Sequence, residues 1–310
     1  MSIFCTLITS NFLPFAKTLF QSLKEFDSGI DFYALVVDDK NSIDITEFTC
    51  LRLVDLTEQE LVNRIQEKYA STSDAFRWSL KSVLMTHLLK SNPNSQVFFV
   101  DPDICFFSDF RFLYNELGDS SFLLSPHWKR PTPDSQDDSF ISLFTHGLYN
   151  AGFVGATSKG INTLRWWTEM CLYSCEDNSQ SGLFVDQKYL DLFPLKEPDT
   201  KILSHRGCNV AVWNRFECHR AYDKDGQVLI NGLYPLVFVH FTYLAYLIEH
   251  DQVLADLLYV YDQRLKENGL SYSLVQRAQA YIERQKLKKL NLWDRFVRKL
   301  NNMSSFKKSF

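Results

Sequence analysis

Two carboxylates one residue apart, Asp101 and Asp103, close a short apolar run that reads Gln96-Val97-Phe98-Phe99-Val100-Asp101-Pro102-Asp103. The run is rich in β-formers and too short for a helix, which predicts a buried parallel strand. Carboxylates just past the carboxyl end of such a strand stand where α/β sheets bind their ligands. Two hard oxygen donors at this spacing can hold Mn²⁺ or Mg²⁺, and an ion so held neutralises a diphosphate. An Asp101 that caps the next turn and a solvated Asp103 would give the same pattern. The pair alone leaves both readings open.

The elements that must position these acids follow from periodicity. Ser2–Thr9 is a β-run, and Ser10-Asn11 is a helix-start signal before the amphipathic stretch Pro14–Phe26. Asp31–Val37 is a second β-run that ends in Asp38-Asp39, and Arg52–Leu56 reads as a third. Glu58–Tyr69 and Asp74–Lys90 read as helices, with Ser73 as the N-cap of the second. Alternation of this kind predicts an α/β fold with a mostly parallel sheet and helices on both faces. Phe122–Leu124 is a further strand, and His127–Ser139, with Pro131, Pro133, Asp134, Asp137 and Asp138, is a long functional loop. A Gly-punctuated β-stretch spans Gly147–Gly155, a helix runs through Arg165, Trp166 and Trp167, and strands or hairpins cover Ile202–Trp213 and Gln227–His240. From Tyr243 onward the pattern is helical. The expected division is a body over 1–242 and a C-terminal helical region over 243–310.

Composition bounds the function. The 310 residues are 45% hydrophobic and include 26 Phe, enough for a substantial core. The net charge of −4 is unevenly spread: Arg277–Phe310 holds ten Lys/Arg and two Asp/Glu, a net of +8, which leaves −12 for the rest. An acidic body argues against nucleic-acid binding. The seven cysteines are odd in number and include no C-x-x-C, so reduced thiols are expected. Met1–Phe20 lacks a basic n-region, and no stretch is apolar enough to span a bilayer. The expected location is cytoplasmic, or peripheral on the cytoplasmic face of the inner membrane. Leu290, Trp293, Val297 and Leu300 recur at i, i+3, i+7, i+10 among Lys288, Lys289, Arg295, Arg298 and Lys299. Such a basic amphipathic helix suits an anionic membrane surface, or docks on an acidic body.

Four segments taken together carry a resemblance: Phe99-Val100-Asp101-Pro102-Asp103, Tyr149-Asn150-Ala151-Gly152-Phe153, Val185-Asp186-Gln187 and Val237-Phe238-Val239-His240-Phe241. Their order and spacing resemble the GT-A-fold glycosyltransferases, most closely the retaining family of glycogenin and the bacterial lipopolysaccharide galactosyltransferases, glycosyltransferase family 8. Phe4–Asn11 and Leu35-Val36-Val37-Asp38-Asp39 are also similar to bacterial members. The resemblance implies a GT-A, Rossmann-like catalytic domain over 1–242. It implies transfer of a sugar from a nucleotide-sugar, a UDP-sugar above all, to a saccharide or lipid-linked glycan acceptor in bacterial surface polysaccharide synthesis.

Residue by residue, the resemblance implies that Asp101, Asp103 and His240 hold the divalent ion, with Mn²⁺ better suited than Mg²⁺ to an imidazole. Asn150 would lie near the donor sugar, Asp186 would accept from its hydroxyls, and Gln187 would sit beneath the anomeric carbon. Arg77 and Lys81, four apart on one predicted helix, would help hold the nucleotide-sugar; a pair of exposed helical cations is the plain alternative. Thr6, Thr9 and Asp39, at expected strand ends, would meet uracil and ribose. Same-face attack is favoured; a covalent route would use Asp186 as nucleophile. One departure stands out. The family follows its metal-binding histidine with Gly and Lys, whereas this chain reads His240-Phe241-Thr242-Tyr243, so a phosphate clamp would come from Lys81 or Arg206 or be absent. His127 and His146 stay open between acceptor contact and surface histidine. The competing functions are a catalytically inactive GT-A scaffold and a DxD phosphatase; Cys105, where the phosphatase pattern wants Thr or Val, weighs against the latter.

Overall fold

The computed structural model describes residues 2–38, 45–135, 138–178 and 181–289. It divides into two compact units, Met1–Thr242 and Tyr243–Phe310.

The first unit is built on a seven-stranded sheet. In chain order its early elements are β1 (Ser2–Ile8), α1 (Leu13–Lys24), β2 (Asp31–Val36), β3 (Thr49–Arg52), α2 (Gln59–Lys68), α3 (Asp74–Ser79), α4 (Lys81–Ser91), β4 (Gln96–Val100), β5 (Ile104–Phe106) and α5 (Phe112–Leu117). There follow β6 (Phe122–Pro126), α6 (Ser139–His146), β7 (Tyr149–Ala156), α7 (Ile161–Tyr173), β8 (Asp177–Asn178), β9 (Leu183–Phe184), α8 (Phe193–Lys196), β10 (Lys201–Ile202), β11 (Arg220–Tyr222), β12 (Val228–Ile230), β13 (Tyr234–Pro235) and β14 (Phe238–His240). The sheet order is β10-β6-β7-β4-β1-β2-β3. β1 runs parallel to β2 and β4, β2 to β3, and β10 to β6, while β7 is antiparallel to both its neighbours. This is the mostly parallel α/β sheet that the strand–helix alternation predicts.

The central strands are apolar on both faces because both faces are covered. Along β1, Ile3, Cys5 and Leu7 join one core with α2, α3, α4 and α7, and Phe4 and Ile8 join the other with α1 and α5. The period of two sends alternate side chains to opposite layers. Phenylalanine fills the second layer: Phe4 stacks on Phe98 at 5.0 Å and meets Phe110 edge-on at 5.2 Å.

Three expectations need correction. The third strand lies at Thr49–Arg52, earlier than Arg52–Leu56, because Arg52 and Asp55 cap a 3-10 turn over Leu53–Asp55. The helix expected over Asp74–Lys90 breaks at Leu80 into α3 and α4; Ser73 does cap it, accepting from the Phe76 N–H at 3.2 Å. Thr6 lies inside β1, fully buried with an unpartnered hydroxyl, and does not end a strand.

The second unit is helical: α9 (Leu244–His250), α10 (Gln252–Glu267) and a helix over 274–289. Asp251 caps α10 by accepting from Leu254 N–H at 3.1 Å. Gly269, at φ +97°, lets the chain reverse. Buried Asp262 then accepts from Ser273 Oγ at 2.7 Å and Leu274 N–H at 2.6 Å, which fixes the start of the last helix. Lys288 and Lys289 are exposed. Leu290, Trp293, Val297 and Leu300 lie outside the described residues, as does Asp39. No helix among the described residues is long and apolar enough to cross a membrane.

Candidate active site

Asp101 follows the last residue of β4, and its N–H donates to Gly152 O on β7 at 2.8 Å. The chain turns through Pro102 and Asp103 into β5. β5 pairs antiparallel with β14, which sets His240 opposite Ile104, and Phe241 N–H donates to Asp103 O at 2.9 Å. A two-stranded ribbon thus delivers His240 to the turn that carries both acids. His240 Nε2 lies 3.1 Å from Asp103 Oδ1 and 4.0 Å from Asp101 Oδ2. One ligand atom from each of the three lies within 4.8 Å of the others.

These residues fit a divalent cation. Two carboxylates and an imidazole form a donor set that first-row divalent ions accept. Burial resists charge on His240, but Asp103 and then Asp101 outweigh it and raise the ring's pKa. The acids are therefore calling for positive charge at this point. Gly152 keeps the space clear: a Cβ there would come within 2.5 Å of His240 Cε1 and 2.9 Å of Asp101 Oδ2. Asp101, Asp103 and His240 can therefore hold a metal ion.

Lys81 is not an exposed helical cation. It opens α4 with its side chain buried, and its Nζ lies 3.0 Å from Asp101 Oδ1, 3.2 Å from Ala151 O and 3.2 Å from Asp186 Oδ2. The last is an ion contact without hydrogen-bond geometry, so Asp186 Oδ2 stays unbonded. Burial opposes the charge on Lys81, and Asp101 and Asp186 together overcome it, so the ammonium titrates above its ordinary range. Burial raises the pKa of Asp186 despite Lys81. One buried cation therefore ties the metal-side acid to Asp186. The backbone before Asp186 is constrained: Val185, a β-branched residue, sits at φ +42°, and Trp167 Nε1–H donates to Asp186 O at 2.8 Å. A β-branched side chain in the left-handed region is costly and marks a position held by its surroundings.

Asn150 and Gln187 meet in a second, polar cluster. Asn150 Oδ1 accepts from Gly152 N–H at 3.0 Å and Asn209 Nδ2 at 3.2 Å, and its Nδ2 faces Gln187 Oε1 and His127 Nε2, each at 3.4 Å. Gln187 Nε2 donates to His146 O at 3.0 Å. His127 is buried, which sets aside the surface reading. Its Nδ1 lies 3.0 Å from Gly147 O, a carbonyl that can only accept, so Nδ1 carries the proton. Burial, then Lys129, pushes its pKa well below the ordinary value, so the ring is neutral. Asn209 was given no role from the sequence and His127 was left between two readings, because a lone amide or imidazole carries no spacing signal. Asn209 at φ +54° is the kind of residue that tolerates the left-handed turn.

A cleft of about 560 Å³ opens beyond the carboxyl ends of β1 and β4, with Asp101 and Asp103 at its floor. Thr9, Asp38, Arg77, Trp78 and Phe12 line its walls; Thr6 is not among the lining residues. Asp38, the neighbour of the predicted Asp39, accepts from Ser10 N–H at 2.6 Å and Ser10 Oγ at 2.9 Å. Arg77 pairs with Asp74 and donates to Thr72 O at 3.2 Å. Arg206 lies elsewhere, stacked 3.6 Å over Trp128 and donating to Glu217 O at 3.3 Å.

No family model matches the chain. It is similar to two uncharacterized proteins of Bacillus subtilis (strain 168). YfnF is 29% identical over 252 residues, 78% of this chain and 81% of that one. YfnD is 27% identical over 247 residues, 77% of this chain and 76% of that one. Among solved structures, mouse xyloside xylosyltransferase 1 in its apo form overlaps 79% of this chain and 99% of its own, at 14% identity and a TM-score of 0.48. The galactosyltransferase LgtC, in complex with donor and acceptor sugar analogs, overlaps 86% of this chain and 96% of its own, at 14% identity and 0.49. A glycosyltransferase involved in glycosylation of the major capsid of PBCV-1 overlaps 80% of this chain and 98% of its own, at 10% identity and 0.46. These overlaps are shallow, and the meaning of the site rests on its own geometry.

Proposed function

We propose that this protein is a metal-dependent hexosyltransferase that moves a sugar from a UDP-sugar to a saccharide or lipid-linked glycan acceptor, with retention, in bacterial surface polysaccharide synthesis. The convergence of Asp101, Asp103 and His240, with the two acids lining a cleft, carries the reading. Mn²⁺ is the ion the imidazole favours. When bound, the ion supplies positive charge against the diphosphate that departs.

The chain's own residues do the rest. Phe12 and Trp78 offer apolar walls to the uracil, and Thr9 and Asp38 offer oxygens to base and ribose. Arg77, at the cleft wall, is the cation closest in kind to the absent lysine after His240. Lys81 is less suited to clamp phosphate directly, because two carboxylates and a carbonyl already surround it. Its work is to keep Asp186 ionised and aimed in a buried place. Asp186 then accepts from sugar hydroxyls and stabilises positive charge as the anomeric carbon loses its leaving group. Asn150 holds Gln187 beneath the ring. The acceptor hydroxyl passes its proton to an oxygen of the leaving phosphate, since no carboxylate among the described residues is placed as a separate base.

The test is a panel of nucleotide-sugars assayed for Mn²⁺-dependent hydrolysis and transfer with the wild type and with Asp103→Ala. One UDP-sugar turned over by the wild type and not by the variant is the expected result. Equal turnover by both proteins would remove the metal assignment. Tight UDP binding with no turnover of any sugar would favour the inactive scaffold.

A further inference from the structure

A histidine that binds a metal through one ring nitrogen ordinarily donates through the other to a carboxylate, a carbonyl or water, and this fixes the rotation of the ring about χ2. His240 lacks that support. Its Nε2 faces Asp103 Oδ1 at 3.1 Å, while its Nδ1 is buried and has no hydrogen-bond partner among the described residues. Gly152, beside Cε1, offers no side chain to hold the ring. Unless another contact fixes it, the imidazole is free to turn away from the acids.

Trp213 supplies such a contact. Its ring lies 5.2 Å from that of His240, centroid to centroid, at 85°, an edge-on arrangement. It also meets the buried His127 ring at 5.7 Å and 78°. The indole has no hydrogen bond of its own, since Nε1 is buried without a partner among the described residues. Its place is set by the chain that carries it. Val210 N–H donates to Phe238 O at 3.1 Å and Val210 O accepts from His240 N–H at 3.0 Å, which ties this chain to the backbone of His240 itself. A 3-10 turn over Val212–Asn214 follows. Asn214 closes that turn, its Oδ1 accepting from Ala211 N–H at 3.1 Å and its Nδ2 donating to Asn209 O at 2.9 Å. Arg220 Nη2 braces it by donating to Ala211 O at 3.0 Å. Trp213 is not among the residues that line the nucleotide cleft, so it works through the imidazole. Resting on the metal site of the proposed function, we propose that Trp213 is a positioning residue: its edge-on ring holds the His240 imidazole toward Asp101 and Asp103, in place of a hydrogen bond to Nδ1.

The test titrates Mn²⁺ into the full chain, with and without UDP, and needs no turnover. Nitrogen modulation of the Mn²⁺ electron spin echo reads imidazole ligation directly, and the titration gives the affinity. Proteins are the wild type, Trp213→Phe, Trp213→Leu, His240→Ala and the double variant Trp213→Leu with His240→Ala. The wild type and Trp213→Phe should show the modulation, because Phe keeps an aromatic edge and gives up no hydrogen bond. His240→Ala and Trp213→Leu should lose it, and Trp213→Leu should bind Mn²⁺ about tenfold more weakly than the wild type. The double variant should bind as His240→Ala does, since the indole then has no ring to hold. A packing role alone would leave the modulation in place. A folded Trp213→Leu that keeps modulation and affinity, or losses that add in the double variant, would overturn the proposal while the metal site stands. A wild type without nitrogen modulation would remove His240 from the metal site and the proposal with it. Should Trp213→Leu not fold, Trp213→Met, which fills irregular space without an aromatic edge, is read in its place.

Discussion

Lys81 shows why the residue scale was only partly legible. Its spacing from Arg77 suggests a shared exposed face, yet the helix breaks at Leu80 and Lys81 turns inward between Asp101 and Asp186. Removing one member of a buried charge cluster strands the others. Lys81→Met should therefore cost about 3–5 kcal/mol, read as a lowered urea midpoint. Lys81→Met with Asp186→Asn should recover part of that loss; a double variant as unstable as the sum of the singles would contradict the coupling. Gly152→Ala tests the space at the cluster, because its Cβ would meet His240 Cε1 at 2.5 Å. A folded variant with Mn²⁺ affinity lowered by about tenfold or more is expected, and unchanged affinity would show that the ring can step aside. The Asp101–Asp103 pair was readable from sequence because an apolar run ending in acids has few meanings. Asn209 was not, because its role comes from contacts with Ser125 and Asn150 that no local pattern encodes.

At the scale of elements, two devices bring the site together. The β5–β14 ribbon sets His240 beside the acids, and the left-handed Asn209 feeds Val210 into its bridge with Val239. Asn209→Ala loses both the side-chain bonds and a residue suited to φ +54°, at a cost of about 2–4 kcal/mol. Asn209→Gly keeps the backbone conformation and should cost less. Equal losses in thermal unfolding would show that the turn's backbone is not what matters. The strands β1, β2, β4, β6 and β7 and their order of appearance were legible because both-faced apolar runs alternate with amphipathic ones. The antiparallel β7 and the pairing of β5 with β14 were not, since a strand's partner is set by the chain's path and not by its own composition. Val185 was equally silent, as nothing in its neighbours announces a strained valine.

At the scale of the molecule, charge divides the chain. Its last 34 residues carry the net +8 against −12 elsewhere, and Lys288 and Lys289 within that stretch are exposed. We expect the full chain to sediment with phosphatidylglycerol vesicles and not with phosphatidylcholine vesicles, and a chain ending at residue 289 to lose that binding. Retained binding would move the contact to another surface. The central claim is narrower: Asp101, Asp103 and His240 share one cation, and that cation recruits the nucleotide. Electron paramagnetic resonance of Mn²⁺ titrated into the protein with UDP measures this directly. The account predicts one tightly held ion per chain, with affinity reduced by about tenfold or more in both Asp103→Ala and His240→Ala. Full Mn²⁺ affinity in either folded variant would contradict it.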